Sequence, residues 1–168
     1  EPLGTRHTVA MWVYWTSSGV AIGGSNQYYA PFLDPTAIYY NVASYVSVTH
    51  GGIANKWHHI AITRNESQVS FWKDGNQRGA TQTLGANNPM ILDTLGSYND
   101  LRFSTGMDLG DVRFYNRVLS PNEIRTLAQR PGIAYERAPR KFYSLPAAAA
   151  GNPTGILINN LQSMRLGL

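Results

Sequence analysis

The 168-residue sequence has no cysteine, and charged side chains make up only 14% of it. Without cysteine, disulfides and thiolate metal centres are excluded. Small secreted eukaryotic modules often carry disulfides, so their absence leans towards a bacterial or viral source. No apolar run approaches the roughly 20 residues that span a bilayer, and no nucleic-acid-binding motif is present. Glutamate is scarce, with Glu1, Glu66, Glu123 and Glu136 the only four. Glycoside hydrolysis needs two carboxylates about 5 Å apart, yet no predicted strand carries acids at alternate positions. No Gly-x-Ser-x-Gly elbow marks a nucleophilic serine. These absences lead to the expectation of a protein that is not an enzyme.

What the chain does contain is strand-forming. Ten Tyr, five Phe and four Trp favour β-structure, and sixteen Gly and nine Pro supply turns. Thr8 to Trp15 is apolar on both alternating faces, as in a central strand covered on both sides. Further strands are expected at 20–24, 37–42, 45–48, 56–64, 68–73, 76–83, 90–92 and 111–115, with residues 25 to 37 as a loop. Asp74-Gly75 between two strands predicts a type I′ hairpin. Ser120-Pro121-Asn122-Glu123 is a capping box with proline at the first helical position, and Ile124, Leu127 and Ala128 follow at helical spacing. His58 and His59 are adjacent in a strand, so their rings point to opposite faces and cannot share a metal.

The charge is uneven. Up to Gln129 nine Lys/Arg balance nine Asp/Glu, whereas from Arg130 onward five basic residues face one acid, which places the whole net charge of +4 in the tail. Prolines and an alanine run suggest a linker there. The segment from Gly155 to Leu168 is apolar again and should pack on its own domain or on a neighbouring chain. The expected organisation is therefore a β-sandwich over 1–129 and a basic linker with an apolar end over 130–168. Arg137, Arg140, Lys141, Ile156, Leu161 and Leu166 are the candidate assembly residues, for a homo-oligomer or a larger surface assembly.

Four pieces occur in a recognisable order: Thr8 to Val13 with its Trp12, Lys56-Trp57-His58-His59-Ile60-Ala61-Ile62-Thr63, Val69 to Gly75, and Gly110 to Ile124. Together the chain resembles the laminin-G-like, concanavalin-A-like lectin/glucanase superfamily over about residues 8 to 129. The resemblance implies an all-β, two-sheet antiparallel jelly-roll sandwich with one short helix after the last strand. It implies Trp12 and Trp57 in the core. It also implies calcium as the usual cofactor, held by loop oxygens, for which Asp34, Asp100 and Asp108 are the candidates. Two features depart from the pattern. Only seven residues precede Thr8, where the family usually has a strand pair, and Gly110 stands where the family often has aspartate, which weakens a metal role there. Asp111 reads as a structural hydrogen-bonding residue.

For ligand contact the aromatic residues matter, because sugars present apolar ring faces that stack on Trp and Tyr. With Val69 and Phe71 in the core, Trp72 should face outward or into a groove. Tyr28, Tyr29, Tyr39, Tyr40 and Tyr98 are expected on or near loops as a binding rim. The functional expectation is a recognition or adhesion module for a glycan or protein surface. A purely structural decoration or fibre protein is the alternative. Either would work outside the cell, on a cell surface or on a virion.

Overall fold

The computed structural model describes residues 3–16, 22–23, 31–33, 36–51, 55–90, 94–95, 97–98, 102–103 and 107–132. All belong to the compact unit Glu1–Glu136. The strands are β1 (Arg6–Trp15), β2 (Ile22–Gly23), β3 (Pro31–Leu33), β4 (Ala37–Asn41), β5 (Tyr45–Thr49), β6 (Trp57–Asn65), β7 (Gln68–Lys73), β8 (Asn76–Thr83), β9 (Thr94–Leu95), β10 (Ser97–Tyr98), β11 (Arg102–Phe103) and β12 (Met107–Tyr115). One helix, α1 (Pro121–Gln129), follows. The main sheet has the order β12-β1-β6-β7-β8, and a second sheet has the order β3-β4-β5. The pairings are antiparallel, and the architecture is the expected jelly-roll sandwich.

Strand β1 explains the layering. Its inward residues Val9, Met11, Val13 and Trp15 join Ile60, Ile62, Val69 and Phe71 against Leu33, Ile38 and Tyr40 of the second sheet. Its outward residues alternate with these, and Ala10 meets Ala61 and Trp72 in a second apolar cluster closed by Leu119, Ile124 and Leu127. The main sheet is thus covered on both faces at this point, which accounts for the apolar character of both faces of β1.

Helix α1 is set by its caps. Ser120 accepts the Glu123 N–H, and Glu123 accepts the Ser120 N–H at 2.8 Å. The helix then lies against the β7–β8 hairpin, whose Asp74 and Gly75 have φ of 52° and 78°, the backbone of a type I′ turn. Gly75 is doubly constrained, because a Cβ there would stand 3.1 Å from Arg125 Cα. Strand β3 lies inside the stretch expected as a loop. Pro31 opens it at the edge of its sheet, paired with Tyr40, and a first-residue edge proline is tolerated because its missing N–H costs no ladder bond. Of the expected strand at 90–92, Met90 forms a bridge with Leu3, and 91–92 lie outside the described residues. The last strand begins four residues earlier than expected, at Met107. It is bulged at Asp111, opposite the register shift between Ala10 and Trp12.

One end of the main core holds a buried polar relay. Arg64 is fully buried. It donates to the Glu66 carbonyl (2.7 Å), Tyr40 Oη (3.1 Å), the Asn88 carbonyl (2.7 Å) and Asn87 Oδ1 (2.7 Å). His7 Nδ1 donates to the Gly4 carbonyl at 2.6 Å, so its Nε2 accepts from Tyr40 Oη at 2.9 Å. Burial holds His7 down at about 4, against the upward pull of the Gly4 contact, so the ring is neutral at physiological pH.

Candidate carbohydrate-binding face

Helix α1 covers only part of the outer face of the main sheet. Beyond it, register brings Trp12 opposite both His59 and Gly110, and Tyr14 opposite both Trp57 and Asp108. Trp57 is 47% exposed, and its ring lies tilted at 49° to Tyr14 with centroids 5.6 Å apart. Its benzo edge rests on the Gly110 backbone, where an added methyl would sit 3.5 Å away. Behind it, Trp12 meets His59 edge-on at 5.6 Å. The result is an aromatic shelf on paired central strands, with exposed Asp108 at its rim.

The support under the shelf is buried. His59 is 2% exposed, and its backbone N–H donates to Asp74 Oδ1 at 3.0 Å. Desolvation lowers its pKa to about 4, although Asp74 and Asp111 pull the other way. The ring is therefore neutral and adds no positive charge to the shelf. On the other side of the strand His58 Nδ1 meets Asp74 Oδ2 at 2.8 Å, so the two rings diverge as expected. Asp111 has φ of 48°. It grips Arg113 through two bonds of 2.7 and 2.6 Å and accepts the Gly132 N–H at 3.1 Å, the structural role assigned to it from sequence. That bulge lets Arg113 and Gly110 both stay on the outer face.

The structure redistributes the residues named from sequence. Trp72 is not a surface residue: it is 7% exposed beneath α1, with its indole N–H donating to Thr63 Oγ1 at 3.2 Å. Its strand face points away from the main core as expected, but the helix lands on it. Trp57 is the converse correction, since no element among the described residues covers it and it is not core. Trp12 is half-buried at the inner margin of the shelf. Tyr39, half-buried on β4, alternates with core residues Ile38 and Tyr40 and so faces away from the core on the other sheet. Tyr98 pairs with Arg102 between β10 and β11. Tyr28, Tyr29, Asp34 and Asp100 lie outside the described residues, as do Arg137, Arg140, Lys141, Ile156, Leu161 and Leu166. Of the calcium candidates Asp108 alone can be placed, and among the described residues no three His, Asp or Glu side chains gather to hold a metal ion. Tyr14 was missed from sequence.

The described acids that show perturbed titration are tied to structure. Glu123 is held at about 2, first by Arg117 and then by the Ser120 backbone and hydroxyl. Glu66 is held low by Thr5 and Asn87, and Asp111 by Arg113. A general acid needs a carboxyl pushed upward, the opposite direction.

The family model of the concanavalin A-like lectin/glucanases superfamily matches residues 2–125. No curated protein matches the sequence. Among solved structures, one similar fold is domain 4 of AbnA, a GH43 extracellular arabinanase from Geobacillus stearothermophilus, in complex with arabinotriose. The TM-score is 0.53 at 20% identity, over 74% of this chain and 67% of that one. A structure of botulinum neurotoxin type C, whose cell entry depends on interaction with two ganglioside molecules, gives 0.55 at 15% identity, over 76% of this chain and 36% of that one. A Trypanosoma rangeli sialidase gives 0.55 at 22%, over 73% of this chain and 22% of that one. The chain thus spans about a third of the toxin chain and a fifth of the sialidase.

Proposed function

This chain belongs to the concanavalin A-like lectin/glucanases superfamily, and from that premise we propose that it is a non-catalytic recognition module that binds a glycan through the Trp12–Tyr14–Trp57 shelf. The observation behind the reading is Trp57, an indole left nearly half exposed yet held against Tyr14 and Gly110. An aromatic plane packed in this way suits the apolar face of a sugar ring, and Asp108 at the rim supplies an acceptor for its hydroxyls. The arabinotriose and ganglioside recorded for the similar structures agree with this choice of ligand. Two of those structures belong to enzymes. The non-catalytic reading therefore rests on this chain's own acids, three of which serve as caps and clamps. Such a module would work outside the cell, on a cell surface or on a virion. Among the described residues no helix is long and apolar enough to cross a membrane.

A glycan array run with and without calcium, followed by titration of the best ligand into Trp57→Ala, tests the proposal. Binding by the parent and at least a tenfold loss in the variant are expected. Silence across the array, or equal binding by the variant, would sink it.

A further inference from the structure

A second patch lies at the opposite end of the same face, and it is built from different chemistry. Thr8 organises it. Its hydroxyl donates to the Arg117 carbonyl at 2.9 Å and accepts the Leu119 N–H at 2.9 Å, pinning the chain that leaves β12 against β1. Arg6 and Asn65 consequently stand beside Asn116, Arg117 and Val118 around a cavity of about 430 Å3. On the other side of Arg117 a second cavity, of about 280 Å3, opens between β12 and α1. Its wall is Tyr115, Leu119 and Leu127, and its polar margin includes Asn122 and Thr126. Arg117 lines both, so they are neighbouring compartments of one crevice.

The charges select a class of ligand. Arg6 is matched by Glu66 at 3.3 Å, and Arg117 by Glu123 at 2.6 Å. The crevice therefore offers guanidinium donors beside carboxylate acceptors, without the excess positive charge that would favour an anion. The helix N-terminus adds nothing to it, because Ser120 and Glu123 already cap that end. Asn116 is exposed and lines the larger compartment. A fitting ligand has an apolar ring face for Tyr115 and several hydroxyls that both donate and accept. Pockets for drug-sized molecules start near 300 Å3, and the two compartments, at about 280 and 430 Å3, lie at the small end of that range.

We infer that this crevice is a second carbohydrate subsite, which takes two adjoining units of a neutral oligosaccharide with Arg117 between them. It is separate from the aromatic shelf. Arg6 and Tyr14 are roughly 26 Å apart along β1 at about 3.3 Å per residue. The chain after α1 also returns to β12 between the two patches, where Gly132 is bound to Asp111. The inference rests on the glycan-binding reading above but uses none of the shelf residues.

Amide chemical-shift mapping of the full chain tests it, with arabinotriose, xylotriose, cellotriose and maltotriose as separate probes at millimolar concentration. At least one probe should shift Tyr115, Arg117, Asn122 and Thr126. Asn116→Ala/Asn122→Ala should weaken that response at least tenfold, and Trp57→Ala should leave it within twofold. The double variant alters only exposed side chains, and mapping of the parent protein stands whatever its stability. Shifts confined to the shelf, or crevice shifts that vanish in Trp57→Ala, would overturn the second subsite and leave the shelf standing. No shift at either patch with any probe would overturn both.

Discussion

Trp57 and Trp72 lie on the same face of the same sheet, on neighbouring strands, and meet opposite fates. Trp72 sits under Ile124 and Leu127 with its indole N–H satisfied, whereas Trp57 stands nearly half in solvent. The difference is the reach of one helix. Helix α1 starts where Leu119 is held to Thr8 of β1 and lies against the β7–β8 turn at Gly75, so it packs on Ala10, Ala61 and Trp72 rather than on Trp57. Under α1 the face serves stability, and beyond it, where none of the described residues covers Trp57, it is free to serve recognition.

The largest test of that contrast is Trp72→Ala. Emptying a covered aromatic site should cost about 3–5 kcal/mol, read as a lower urea midpoint with an unchanged slope. A loss below about 1 kcal/mol would mean that α1 does not seal the site.

Acid should weaken the fold by a comparable amount. His7 and His59 are buried neutral with pKa values of about 4, against 6.5 in the unfolded chain. Their folded values are depressed, so protons favour the unfolded state. Stability should be fully present above about pH 6.5 and fall as pH drops towards 4. At about 1.4 kcal/mol per unit each histidine contributes roughly 3 kcal/mol. Urea titrations at pH 7 and pH 4.5 check this, and equal midpoints would show that neither ring is sealed from water.

Ser120→Ala removes the cap that aims the helix and should cost about 1 kcal/mol. It should also raise the solvent exposure of Trp72, visible as a red-shifted fluorescence maximum, without affecting Trp57. The smallest effect on stability belongs to Trp57→Ala, within about 1 kcal/mol, although the proposed glycan binding should fall at least tenfold. If Trp57 and Trp72 replacements destabilised the protein equally, the division between the two parts of the face would be wrong.

Much of this architecture was readable from residue order. The Asp74-Gly75 turn, the Ser120–Glu123 box and the two-faced β1 each rest on local chemistry, and each appears where that chemistry put it. Pro31 to Leu33 was not readable, because its strand exists only through pairing with β4. The shelf was half readable. Asp108, Trp12 and Trp57 were singled out, but Asp108 as a metal ligand and both tryptophans as core, and Tyr14 was not selected.

The sequence by itself determined which residues share a face, since period-two alternation, a forced turn and a capped helix act over a few residues. Only the tertiary structure decided which shared face is buried. That depends on where α1 lands, and its landing is set by distant contacts: Thr8 holding Leu119, Gly75 admitting Arg125, and Asp111 anchoring Gly132.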